Sequence, residues 1–106
     1  MKISISKDFN KYPAGRFIAD GEYSGERFRK EFLVPNLRTG DIVEIDLNDL
    51  GGVGSSFWDE AFACLILKEG FLYEEIKSKL ILKCDDDITL CPLIWKYIDE
   101  AKEMIK

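Results

Sequence analysis

The sequence predicts a small α/β domain in which a mixed β-sheet of about four strands packs against three to four helices. Short apolar segments typical of strands alternate along the chain with longer segments of helical periodicity, and this alternation indicates a parallel or mixed sheet. The chain has 106 residues, the length of one domain, so we expect residues 1–106 to form a single unit. Hydrophobic residues make up 46% of the chain, which is enough for a packed core.

The first quarter of the chain contains one predicted strand and a long irregular segment. Residues 2–6 alternate Ile3 and Ile5 with polar side chains, which predicts a half-exposed strand. Residues 9–24 are rich in both turn-forming and aromatic residues, and residues 16–19 within them could form a second short strand. An irregular segment of this length is either functional or packed tightly over the core.

The first predicted helix follows this segment. Ser24 is a candidate N-cap, and Phe28, Phe32 and Leu33 then recur at helical spacing. A proline lacks the backbone N–H that continues a helix, and it disfavours a helical conformation at the residue before it. We therefore expect this helix to kink or stop near Pro35, with residues 36–38 as a last turn.

A buried strand, a glycine-rich turn and a second helix are predicted next. Residues 42–47 form an apolar segment typical of a buried strand. Residues 51–54 contain three glycines, which continue neither a strand nor a helix well. A helix from about Ser56 to Glu69 follows, and its Ser56 and Asp59 fit a capping box. Because this helix is apolar on nearly every side, we expect it to be the most buried one.

The last third of the chain is predicted to contain a short helix, a strand and a longer helix. Gly70 is a candidate C-cap of the preceding helix. Residues 73–79 predict a short polar helix, and residues 80–84 predict an apolar strand. Pro92 suits the first turn of the last helix. An apolar stripe on that helix would face the core and consists of Ile94, Ile98, Ala101 and Ile105.

The composition argues against several classes of function. The formal net charge is -5, from 15 basic and 20 acidic side chains. Basic residues such as Arg27, Arg29 and Lys30 alternate with acidic ones, which indicates a solvated helix face rather than a nucleic-acid-binding patch. The chain contains no histidine, so Ser-His-Asp and Cys-His catalysis are unavailable. We expect a non-catalytic protein that requires no cofactor.

The cysteine count and the hydropathy pattern bear on the compartment. Three cysteines are an odd number, which argues against a disulfide framework and fits a reducing compartment. Zinc prefers four ligands, so we expect no metal site in a chain with three cysteines and no histidine. No stretch approaches the ~18 consecutive apolar residues of a membrane span. Residues 1–7 lack the apolar core of a signal peptide. We therefore expect a cytoplasmic protein.

The glycine-rich turn and the start of the second helix form the main candidate site. Ser55 and Ser56 lie where free backbone N–H groups and the positive end of a helix dipole meet, directly after Gly52 and Gly54. A Walker A loop would need a lysine just before its serine or threonine. Residues 42–66 contain no lysine, which argues against a nucleotide-hydrolysing loop. Such a helix start suits a regulatory phosphate, a bound anion or a docking surface.

Four further residues complete the candidate site. If the turn docks a partner, Phe57 and Trp58 are expected to form an exposed apolar patch beside the serines. Asp46 would supply negative charge at the end of the preceding strand. Arg16 either reaches this turn or pairs locally with Asp20.

Two sets of motifs resemble known domain families. The run Ile45-Asp46-Leu47-Asn48, followed by Ser55-Ser56 and an apolar helix, is similar to the STAS domain of anti-sigma-factor antagonists. In that family a partner kinase phosphorylates the first serine or threonine of the turn, and the matching position here is Ser55. The closer resemblance is to a bacterial STAS-like family of unknown function. Its pattern resembles Tyr12-Pro13, Gly15-Arg16, Asp20-Gly21, Ser24-Gly25-Glu26, Phe28-Arg29, Gly54-Ser55-Ser56-Phe57 and Asp59-Glu60-Ala61-Phe62.

This resemblance implies a STAS-like fold and a regulatory protein–protein interaction domain that is switched by serine phosphorylation. Relatives are found fused to, or encoded beside, histidine-kinase-like ATPase domains, so the implied partner is such an ATPase or a serine kinase. An alternative is a small-molecule or anion-sensing module, which would need a closed pocket lined by Tyr12, Phe17 or Tyr23. A third hypothesis is a hydrolase that uses Ser55 and a pocket carboxylate with a strongly shifted pKa.

Overall fold

The computed structural model describes residues 1–105, and its central feature is a three-stranded parallel sheet. The strands are β1 (Lys2–Ser4), β2 (Val43–Asp46) and β3 (Leu80–Lys83), with β2 in the middle. Ile45 of β2 lies opposite Ile3 on one side and Leu82 on the other. The expected number of about four strands is therefore wrong, because the described residues form three. All three run parallel, so of the two arrangements that the alternation indicates, parallel or mixed, the parallel one is formed.

The missing fourth strand is the one proposed for residues 16–19. The backbone N–H of Phe17 donates a hydrogen bond of 2.9 Å to the Asp20 carboxylate. Ile18–Asp20 then form a single 3-10 turn. A short side chain that bonds the backbone a few residues away favours a turn over a sheet ladder. The same effect shortens β1, because the Ser4 N–H donates to the Asp8 carboxylate at 2.7 Å and the chain turns over Ile5–Phe9.

The first long helix, α1, is continuous through three segments, Gly25–Phe28, Arg29–Leu33 and Val34–Arg38. Ser24 is its N-cap, as predicted, and the serine hydroxyl accepts from the Arg27 N–H at 3.2 Å. Pro35 does not stop the helix at Val34. The Val34 N–H bonds to the Arg29 carbonyl, five residues back, so the helix widens to a π-type turn just before the proline and then continues.

The second long helix, α2, is continuous through Ser55–Trp58, Asp59–Ala63 and Cys64–Leu67. Its N-cap is Gly54, whose extended backbone precedes the first turn, so the predicted capping role of Ser56 is wrong. The helix ends where the Lys68 and Glu69 N–H groups both donate to the Cys64 carbonyl. Gly70 follows with a φ of +78°, as expected of a residue that terminates a helix.

Two further helices complete the fold, α3 (Tyr73–Lys79) and α4 (Leu90–Met104). The second long helix is the most buried of the four, as predicted, since its residues 57–66 are buried except for the half-buried Asp59. The core lies between this helix, α1, α4 and one face of the sheet. The sheet and α4 supply Ile3, Val43, Ile45, Leu80, Ile94, Ile98 and Ala101 to it.

Candidate functional site

The turn between β2 and α2 is held by contacts on both sides. Asp46 accepts a hydrogen bond from the Asn48 N–H at 2.8 Å, and Asp49 adopts a φ of +64°. The Gly51 N–H donates to the Lys11 carbonyl at 2.9 Å. A Cβ atom at Gly51 would overlap the Tyr12 ring, so any other residue there would displace this exposed side chain. The turn therefore enters α2 along a defined path.

The two serines occupy different positions at the start of α2. Ser55 is exposed and is the first helical residue, whereas Ser56 is half-buried. No side chain caps the first turn, so its backbone N–H groups have no side-chain acceptor. The Asp59 N–H donates to the Ser55 carbonyl, which places Asp59 one turn along the same face from Ser55.

The predicted apolar patch beside the serines is not present. Phe57 has no exposed surface and Trp58 has 2% exposed. Phe57 packs against Phe28 with ring centroids 6.1 Å apart, and Trp58 packs against Phe62. Both side chains anchor the helix start in the core instead of presenting it to a partner. The exposed residues from the end of β2 to the start of α2 are Asp49, Gly52, Gly54 and Ser55.

Arg16 reaches the start of α2 and does not pair with Asp20. Its Nη1 atom lies 2.7 Å from Asp59 Oδ2 and 3.5 Å from Glu60 Oε1. The hydrogen bond with Asp59 raises the pKa of Arg16; partial burial opposes the shift, and the charge of Asp59 adds to it. The irregular segment is thereby tied to the helix that carries the serines.

A buried ion pair that the sequence did not predict lies beside this site. Arg29 and Glu60 are each about 1% exposed, and Arg29 Nη1 lies 2.7 Å from Glu60 Oε2. Arg29 Nε also donates to Glu69 at 2.9 Å, and Lys68 Nζ lies 2.8 Å from Glu60 Oε2. The prediction of a solvated face is therefore wrong for Arg29. Helical periodicity could have indicated the burial of Arg29, because Arg29 lies four residues before Leu33 on the buried stripe of α1.

The ionisation of this cluster follows from its contacts. Burial acts to raise the pKa of Glu60, but hydrogen bonds from Lys68 and Arg29 outweigh it and hold that pKa below its usual 4.5. The neighbouring Cys64 thiol is buried, and burial together with the Glu60 charge raises its pKa to about 11. Glu60 is therefore ionised and paired near neutral pH, and Cys64 is a protonated thiol.

Tyr12, Phe17 and Tyr23 of the irregular segment make no ring contact with one another. Tyr12 is 65% exposed above Gly51, and Tyr23 packs edge-on against Phe9 with centroids 5.4 Å apart. An open groove of about 520 Å³ lies beside this segment, and its lining includes none of Tyr12, Phe17 and Tyr23. The closed aromatic pocket expected of a sensing module is therefore not among the cavities described here.

A smaller cavity of about 150 Å³ adjoins the glycine-rich turn. It lies beyond the carboxyl ends of β2 and β3, the neighbouring parallel strands. Such crevices are frequent ligand sites in α/β folds. Its lining consists of Leu47, Leu50, Gly51, Gly52, Val53, Trp58, Asp86, Asp87 and Leu90.

Comparison with known proteins identifies the family. The family model of the STAS-like domain of unknown function (DUF4325) matches residues 24–88, more than half of the chain. The chain belongs to this family. The match begins at the Ser24 cap of α1 and ends in the loop after β3. It therefore includes the glycine-rich turn, both serines and the Arg29–Glu60 pair of this STAS-like domain. No curated protein and no solved structure matches the chain.

Two further findings concern the residues that the structure describes. None of the helices within residues 1–105 has the length and apolar character needed to cross a membrane. The same residues contain no group of three or more histidine, cysteine, aspartate or glutamate side chains placed to hold a metal ion.

Proposed function

We propose that this STAS-like domain is a non-catalytic regulatory module that binds a protein partner through the exposed glycine-rich turn and the start of α2. The observation that carries the proposal is the contrast at the helix start. Ser55 is exposed, while Phe57 and Trp58 immediately after it are fixed in the core. A rigid turn with an exposed hydroxyl presents a defined surface at little entropic cost on binding.

Phosphorylation of Ser55 is the proposed switch. A phosphate adds about -1.5 to -2 charges at neutral pH. The first turn of a helix favours negative charge, so the modified domain should stay folded. The turn also lies near the carboxylates of Asp46, Asp49 and Asp59. A phosphate there would add like-charge repulsion and a desolvation cost within a docked interface, so the partner would dissociate.

The resemblance to STAS domains suggests the partner. The proposed partner is a histidine-kinase-like ATPase or a serine kinase in the cytoplasm. The net charge of -5 and the paired state of Arg16 and Arg29 argue against nucleic acid as a partner.

The alternative of anion sensing receives less support from the geometry. The uncapped N–H groups at the start of α2 would favour an anion. The nearest cavity, however, is lined by Asp86 and Asp87, whose charges oppose one. The aromatic side chains that would have enclosed a ligand lie apart.

The test is phosphorylation of the purified domain by native-host extract and ATP, followed by intact-mass and site-localisation mass spectrometry. We expect a gain of one phosphate on Ser55 and none in the Ser55→Ala variant. An extract that phosphorylates a control substrate but leaves Ser55 unmodified would remove the switch. For binding, Ser55→Asp should weaken capture of a purified histidine-kinase-like ATPase, whereas Ser78→Asp on the exposed face of α3 should not.

A further inference from the structure

The cavity beside the glycine-rich turn has apolar walls and a polar opening. Leu47 is almost completely buried, and Leu50, Val53 and Leu90 pack on the core around it. Asp86 and Asp87, which are both exposed, supply the acidic part of the lining. Its volume of about 150 Å³ corresponds to one medium-sized side chain rather than a nucleotide or a drug-sized ligand.

One wall of the cavity contains an unused hydrogen-bond donor. Trp58 lines the cavity and is 98% buried in the core, where its rings pack against those of Phe57 and Phe62. Its indole N–H makes no hydrogen bond within residues 1–105. Among the described residues, no side-chain nitrogen or oxygen is both sealed from solvent and without a partner, so the indole nitrogen retains some accessible surface. The accessible part of Trp58 therefore borders the cavity, where the N–H can bond an acceptor.

The acidic part of the lining supplies an acceptor. Both oxygens of Asp86 are used, one by the Asp49 N–H at 3.0 Å and the other by the Cys84 thiol at 3.2 Å. Asp87 accepts from the N–H and hydroxyl of Thr89 through Oδ1 alone. Its second oxygen has no hydrogen bond within the described residues, so a carboxylate oxygen remains available to a donor.

The two loops that carry these groups are joined to each other. Asn48, after β2, accepts hydrogen bonds from the backbone N–H groups of Asp85 and Asp86 at 2.7 and 3.1 Å. The opening therefore keeps its shape without a ligand, which reduces the entropy lost on binding.

We propose that this cavity binds a carboxamide group, supplied by a glutamine or asparagine side chain of the docked partner. A carboxamide has a carbonyl acceptor for the Trp58 indole N–H and an amino donor for Asp87. It is also neutral, so the apolar walls impose no cost of burying a charge. Gly51 and Gly52 also line the cavity, so it adjoins the surface that the proposed function assigns to docking. The choice of a partner's side chain as the ligand rests on that function.

The test uses propionamide as a probe and nuclear magnetic resonance of the two tryptophan indole N–H groups. Propionamide should move the Trp58 signal downfield in a saturable manner. The signal of Trp95, on α4, should stay in place, and a Trp95→Phe variant assigns it. A dissociation constant of about 10 mM is expected for five non-hydrogen atoms. Propionate has the same number of non-hydrogen atoms but only acceptors, and propylammonium has one fewer and only donors, so both should bind at least tenfold more weakly.

Two aspartate variants give the matched comparison. Asp87→Asn can still cap Thr89 but turns its amino group toward the probe's amino group, so it should weaken propionamide binding at least fivefold. Asp41→Asn alters an exposed carboxylate that neither lines the cavity nor bonds the two loops, and it should leave binding unchanged. A Trp58 signal that does not respond, or responds equally in both variants, would overturn the carboxamide site.

The remaining outcomes decide the ligand class and its source. Tighter binding of propylammonium would replace the carboxamide with a cationic group. If propionamide binds with a dissociation constant below about 10 μM, the ligand of the cavity is a free small amide instead of a partner's side chain. None of these measurements uses a partner or a kinase, so a negative result would leave the docking role of Ser55 untouched.

Discussion

The guanidinium of Arg29 on α1 lies 2.7 Å from the carboxylate of Glu60 on α2, and both side chains are almost completely buried. Arg29 also bonds the main-chain carbonyl of Glu60 and the carboxylate of Glu69. Lys68 supplies a second cation to Glu60 from the surface. This pairing crosslinks the two long helices directly beneath the candidate docking turn.

Removing the cation should destabilise the domain strongly. Arg29→Met keeps much of the apolar volume but leaves Glu60 buried with fewer partners. Breaking one side of a buried pair typically costs about 3–5 kcal/mol. Urea denaturation measures this difference in the free energy of unfolding. Lys30→Met is the matched control, because Lys30 is exposed and pairs with Glu26 on the surface, where such pairs contribute below about 1 kcal/mol. Equal losses in the two variants would show that the buried pair contributes nothing beyond a surface pair.

The same pair should make stability dependent on pH in the acid range. The pKa of Glu60 lies below its usual 4.5 in the folded protein, because hydrogen bonds from Lys68 and Arg29 outweigh the opposing effect of burial. The unfolded chain therefore binds the proton more readily. The stabilisation is complete above about pH 4.5 and is lost as the pH falls through the lower folded value.

Glu60→Gln isolates this contribution. Its free energy of unfolding should change less than that of the unmodified domain between about pH 7 and about pH 3. Glu74→Gln, at an exposed position on α3, should retain the full acid dependence. If Glu60→Gln and the unmodified domain lose stability in parallel, Glu60 is not the group that confers the acid sensitivity.

Gly25 should be a position where only glycine allows the close approach of α1 and α2. A Cβ atom there would lie 3.1 Å from Glu60 Cβ and 3.2 Å from the Ala61 nitrogen, and still closer to the Phe57 carbonyl oxygen. Gly25→Ala should therefore cost about 1–3 kcal/mol through overpacking. Gly21→Ala is the control, since a Cβ atom at Gly21 meets nothing within 4 Å. Thermal unfolding of the two variants checks the difference, and a neutral Gly25→Ala would mean that the helices can move apart freely.

The sequence predicts the elements whose signals are local. The α3 helix has the expected bounds, the first long helix begins at the expected Ser24 cap, and Gly70 terminates the second. Each of these depends on periodicity or on one residue's backbone preference. The strand proposed for residues 16–19 fails because Asp20 bonds the backbone of Phe17, and this competes with any β-ladder.

Features that depend on tertiary packing could not be predicted in the same way. The serines and glycines of the candidate turn are where the sequence places them, but the burial of Trp58 depends on Phe62 and the core around it. Periodicity alone gives the buried position of Arg29, but the sequence does not say that Glu60 would face it. The choice of Asp59 over Asp20 as the partner of Arg16 is likewise a result of how the irregular segment packs on α2.

The N-termini of α1 and α2 allow a last prediction, because a serine side chain caps α1 but not α2. The Ser24 hydroxyl accepts from the Arg27 N–H and is completely buried, so Ser24→Ala should cost about 1–2 kcal/mol. Ser56 is the second residue of α2, and its hydroxyl caps nothing, so Ser56→Ala should change stability by less than about 0.5 kcal/mol.

Gly54 is the N-cap of α2, its backbone conformation suits an L-residue, and a Cβ atom there meets nothing within 4 Å. Gly54→Ser should therefore stabilise the domain by a few tenths of a kcal/mol. Chemical denaturation of the three variants checks this order, and a loss at Ser56 as large as that at Ser24 would return the N-cap of α2 to Ser56.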